Sequence, residues 1–121
     1  MSDSNPYWKE ETSPDGRIKV EYAITEGRMS HEIFSPRITD LHSGRVLLDM
    51  LDSNMWDGSV RWLDNGDFDL TIRNYGDDRG RCLPVRVYRE DDTFALGNPP
   101  LERERIDTLR RRIEEVYWTW K

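Results

Sequence analysis

Between Ile18 and Val87, apolar side chains return at every second position in short runs, and each run stops at a turn signal. Ile18, Val20, Tyr22 and Ile24 alternate with Lys19, Glu21, Ala23 and Thr25; Val60/Trp62, Phe68/Leu70/Ile72 and Leu83/Val85/Val87 repeat the pattern. Successive side chains of a strand point to opposite faces, so this spacing buries one face and wets the other. Pro14-Asp15-Gly16, Ser43-Gly44, Asp64-Asn65-Gly66, Asp77-Asp78-Arg79-Gly80 and Asp91-Asp92 separate the runs. These connectors are too short for the helices of parallel crossovers, which leaves antiparallel hairpins.

Two turns can be assigned a register. A three-residue Asp64-Asn65-Gly66 loop pairs Trp62 with Phe68, Arg61 with Asp69 and Val60 with Leu70, so both apolar sets share a face. A three-residue Pro14-Asp15-Gly16 loop, by the same reasoning, pairs Trp8 with Tyr22, Lys9 with Glu21 and Glu11 with Lys19. Each such cross-strand pair contributes about 0.2–1 kcal/mol. Gly16 and Gly66 are expected at positive φ. The segments Pro14–Val20 and Asp64–Leu70 resemble blade hairpins of TolB-type β-propellers, and Asp40–Leu47 resembles a quinoprotein-type blade turn. A propeller needs at least four blades of ~40 residues, more than this chain holds, so the likeness is one of turn chemistry.

The pattern changes at Gly97-Asn98-Pro99-Pro100. Asn98 as a cap and Pro99 at the first position predict a helix over 99–120. Ile106, Leu109, Ile113, Val116, Tyr117 and Trp120 then form one apolar stripe, with Asp107–Arg111, Arg110–Glu114 and Arg111–Glu115 as i,i+4 pairs. The expected fold is a single domain over 1–121: a mainly β (α+β), curled antiparallel meander of about seven strands spanning 7–96, with one C-terminal helix packed on its concave face. The stripe also fits a coiled-coil seam, so a monomer is preferred and a homodimer is the alternative.

Composition narrows the function classes. Ile, Leu, Val and Phe make up only 26 of 121 residues, near the boundary with disorder, and ten Trp and Tyr residues restore a core. Residues 1–100 carry 12 basic and 19 acidic side chains, within a total charge of −6. Such a body repels phosphate backbones, so no nucleic-acid partner is expected. No apolar run approaches the ~20 residues of a membrane helix, and the polar start has no secretory pattern. One cysteine, Cys82, forms no internal disulfide, which points to the cytoplasm. No Cys/His cluster suggests a metal, and no cofactor is expected.

The candidate sites follow from faces and loops. His31 reads as a partly buried strand residue and His42 as a turn residue; neither neighbours a nucleophile motif, and the chain is not expected to be an enzyme. If β-strands 68–72 and 83–87 are neighbours, Arg73, Tyr75, Arg86 and Tyr88 project outward as an Arg/Tyr patch suited to a protein partner. Asp49, Asp52 and Asp57 around Trp56 form a weaker candidate for a ligand. The expected function is a small non-catalytic module, accessory, regulatory or immunity-like, that binds another protein. The alternative is a small-molecule binder or hydrolase with a pocket at the mouth of the curled sheet.

Overall fold

A computed structural model of the protein describes residues 8–26, 32–97 and 99–120. Tyr7, His31 and Asn98, on which parts of the sequence reading fell, lie outside the described residues. Among the described residues, nine antiparallel strands form two sheets, each running in chain order. The first holds β1 (Trp8–Thr12), β2 (Ile18–Glu26), β3 (Glu32–Asp40) and β4 (Arg45–Asp49). The second holds β5 (Trp56–Trp62), β6 (Phe68–Asn74), β7 (Leu83–Tyr88), β8 (Thr93–Leu96) and the two-residue β9 (Glu104–Arg105). A C-terminal helix, α1 (Leu109–Val116), lies between single 3₁₀ turns at Ile106–Thr108 and Tyr117–Thr119.

The mainly β fold with a C-terminal helix is as expected; two sheets replace one, and nine strands replace about seven. The break falls between β4 and β5. The chain leaves the first sheet at buried Met50 and returns with β5 packed against β3. Gly58 makes that crossing possible, because a Cβ there would lie 2.8 Å from Pro36 Cγ. Ser35 Oγ, fully buried, lies 2.7 Å from the Ser53 carbonyl oxygen and 2.8 Å from that of Trp56, and its single proton, shared between them, fastens the crossing. One continuous core results, with Val20, Ile38 and Leu48 from the first sheet and Phe68, Leu70, Ile72, Val85 and Phe94 from the second.

The helix is shorter than predicted. Residues 99–103 form a turn and irregular chain, and Glu104–Arg105 pair with Thr93 and Phe94 of β8. An open β8 edge offers backbone partners to this segment, and those bonds outweigh the Pro99 start signal. The apolar stripe itself is as read: Ile106, Leu109, Ile113 and Tyr117 are buried, and Val116 and Trp120 pack beside them. Arg110–Glu114 forms at 3.7 Å, while Arg112 bonds Glu104 and Glu115. The helix closes the core where β4 ends and β5 begins. Tyr117 meets Trp56 edge to face at 5.1 Å, and Arg110 donates to the Asp49 carbonyl.

The two hairpin registers come out differently. Around Asp64-Asn65-Gly66 the pairs are Trp62–Phe68, Arg61–Asp69 and Val60–Leu70, with Gly66 at φ +93°. In the first hairpin Gly16 has φ +75°, but the loop is one residue longer than expected and comprises Pro14–Arg17. Lys9 therefore faces Tyr22, Glu10 faces Glu21 and Glu11 faces Val20. Ser13 is the cause: its Oγ accepts from the Arg17 and Ile18 N–H groups and donates to Asp15. The shift turns every β1 side chain over. Trp8 goes to the outer face, 37% exposed, and Lys9 and Glu11 go to the inner one.

Candidate functional site

That inversion shapes a groove between the first sheet and β5. Lys9, Glu11, Tyr22 and Phe34 form its floor on the inner face of the first sheet, and Asp57, Gly58, Ser59 and Val60 of β5 form its wall. Its volume is ≈340 Å³. Tyr22 is buried, so its hydroxyl needs a partner. Glu11 supplies it, accepting from Tyr22 Oη at 2.7 Å and from Trp62 Nε1 at 3.1 Å. Burial, with Glu11 beside it, pushes the Tyr22 hydroxyl pKa up. The Lys9 ammonium lies over the rings of Tyr22 and Phe34, at 5.6 and 5.4 Å from their centroids.

The wall is an open sheet edge. The Tyr75 N–H donates to the Met55 carbonyl and the Leu63 N–H to that of Asp67. Hydrogen-bonded pairs alternate in an antiparallel ladder, so 57, 59 and 61 bond to β6 and 56, 58, 60 and 62 turn their backbone groups away. The Ser35 bond to the Trp56 carbonyl shows this orientation at one end. Beyond it, Gly58 is buried against Pro36, and Val60 is half-buried where β5 lines the groove. Asp57 reaches back to accept the Phe34 N–H at 2.8 Å, and burial raises its carboxyl pKa.

The Arg/Tyr patch read from sequence is divided by the register. β6 and β7 are neighbours, as supposed, yet Arg86 lies opposite Asp69 rather than beside Arg73. Arg86 holds Asp69 through Nε at 2.7 Å and Nη2 at 3.0 Å, and Arg61 reaches the same carboxylate at 2.9 Å. These cations hold the Asp69 carboxyl below its ordinary pKa. Tyr88 is covered by the Arg103 guanidinium, 3.6 Å from the ring centroid. Arg73 and Tyr75 instead border a smaller cleft with Glu32, Asp57 and Asp77.

The weaker acidic candidates are also separated. Asp52 pairs with Arg110 at 3.0 Å, and Asp49 accepts the Leu51 N–H. Trp56 is 7% exposed and belongs to the core against Tyr117. Of that set only Asp57 reaches the groove. His42 is an exposed turn residue whose N–H binds Asp40. Among the described residues no three His, Cys, Asp or Glu side chains gather as metal ligands, and no helix is long and apolar enough to cross a membrane.

Sequence reasoning missed Lys9, Glu11, Tyr22 and Phe34 as a site because the assumed register placed Lys9 and Glu11 outside. The available signal was Ser13, a side chain able to cap its own turn and lengthen the loop. Comparison with protein-family models, curated proteins and solved structures finds no significant match to this chain.

Proposed function

We propose that the protein is a non-catalytic interaction module of the cytoplasm that binds another protein, taking an extended segment of it along the free edge of β5. The unpaired backbone of Val60, half-buried on the β5 edge beside an aromatic floor, carries this reading. Main-chain bonds to an exposed edge supply affinity, and side-chain pockets at alternate positions supply selectivity. Two of the other three edges are less suited. β9 is two residues long, and β1 turns the charged Lys9 and Glu11 inward, a common way of blunting an edge. An exposed Cys82 in a chain with no other cysteine suits a reducing compartment.

Val60→Pro tests the reading directly. Proline removes only the N–H that points away from β6, and such a position on an edge strand tolerates it. Peptides selected on the wild-type protein from a phage-displayed random library should lose binding to Val60→Pro, while circular dichroism shows a folded variant. Ser59→Pro, which removes a β6 ladder bond, should instead melt the hairpin. Peptide binding untouched by Val60→Pro would refute the edge as the site. A wild-type dimer that Val60→Pro makes monomeric would assign the edge to a second copy.

A further inference from the structure

We infer that the segment taken by the β5 groove carries a lysine or arginine side chain, seated between the carboxylates of Glu11 and Asp57 beside the ring of Phe34. The inference rests on the docking reading above and adds the chemistry of the occupant. Glu11 holds two hydrogen bonds, and both donors, the Tyr22 hydroxyl and the Trp62 indole, are neutral. Asp57 accepts one backbone N–H through Oδ1. Among the described residues neither carboxylate forms an ion pair, although fifteen such pairs occur elsewhere in the molecule. The groove lining holds two carboxylates and one ammonium, that of Lys9, and Arg73, opposite Asp57 in the β5–β6 ladder, acts on that carboxylate without forming an ion pair.

An ionised carboxylate accepts about four hydrogen bonds, so both acids retain capacity that a cationic donor would use. Bonds of this charge-assisted kind are roughly twice as strong as neutral ones. The raised pKa of Asp57 agrees, since burial outweighs both the Phe34 N–H and the charge of Arg73. The position of Lys9 adds an independent sign. Its ammonium already lies within 6 Å of both ring centroids, so these faces attract a cation in the free protein. An acidic or neutral segment would cover Asp57 without pairing it, which is costly.

Peptides from the selection described above provide the test. Lysine or arginine should recur at one position, and replacing it by glutamine should weaken binding by about tenfold or more, the scale of a lost bond to a charged group. Asp57→Asn keeps an oxygen for the Phe34 N–H and removes the charge. It should weaken the basic peptide by a similar factor and leave the glutamine peptide unchanged. Ser59→Lys, at an exposed position of the same wall, should also weaken the basic peptide, which keeps the test decisive if Asp57→Asn is unstable. Peptides that bind in a Val60-dependent manner without a basic residue, or with equal loss for both peptides in Asp57→Asn, would overturn the inference and leave the docking reading standing. No binding, or binding that survives Val60→Pro, would overturn both.

Discussion

Single side chains with several partners set the local geometry of this protein. Ser13 and Asp15 organise the first turn. The Ser13 hydroxyl, the Arg17 N–H and Arg89 hold the Asp15 carboxyl down to about 2. A carboxyl depressed in the folded state stabilises it above the unfolded value, ~3.9, and that contribution disappears as pH falls through about 2. Hydrogen-detected titration of the Asp15 carboxyl by NMR should give the low value, and Ser13→Ala should move it back toward the ordinary range. Tyr117 plays a comparable part at the other end. Its hydroxyl accepts the Asn74 N–H at 3.0 Å and lies 2.9 Å from both Asp77 Oδ2 and the Arg81 carbonyl. Tyr117→Phe should cost about 1–3 kcal/mol, because the groups around it lose their partner. An unchanged midpoint in urea denaturation would contradict that.

At the scale of elements, β5 connects the two sheets, and its crossing depends on the absence of a side chain. Gly58→Ala forces a methyl group against Pro36 and the Ile72 side chain. Overpacking of this kind costs about 1–3 kcal/mol, and thermal melting should show the loss. Chain tips add a second tie. Arg89 reaches Asp15 of the first hairpin at 2.8 Å, and its backbone N–H binds Asp67 of the β5–β6 hairpin. The β6–β7 pair shows how register decides what a residue is for. Arg86, which alternation alone leaves facing outward, is held by Asp69. Arg86→Glu would set two carboxylates opposite each other. It should lower the melting temperature, an effect absent from a simple surface contact; like charges directly opposite destabilise a sheet.

For the molecule as a whole, the helix completes a core that neither sheet closes alone. Ile113 is fully buried in the same cluster as Phe68, Leu70 and Leu48. Ile113→Asp places an unpaired carboxylate there, at a cost of several kcal/mol against a total stability of ~5–15. The variant should lose its circular dichroism signal outright. A folded variant of half the wild-type mass in light scattering would show instead that the stripe covers a second copy.

Alternation and turn chemistry determined the hairpins, the β5–β6 register and the identity of the helix stripe, because each depends on neighbours within a few residues. Phe68 and Trp62 must share a face whatever lies beyond them, and Gly66 follows from that requirement. Other features depended on groups distant along the chain. The β1 register has one local signal, Ser13, and otherwise turns on the need of buried Tyr22 for Glu11, and the start of the helix turns on an open β8 edge that receives Glu104 and Arg105. The separation into two sheets depends on Gly58 meeting Pro36 across the core. The groove belongs to this second kind. Glu11 and Asp57 are 46 positions apart, and only the packing of β5 over the first sheet brings their carboxylates to one surface.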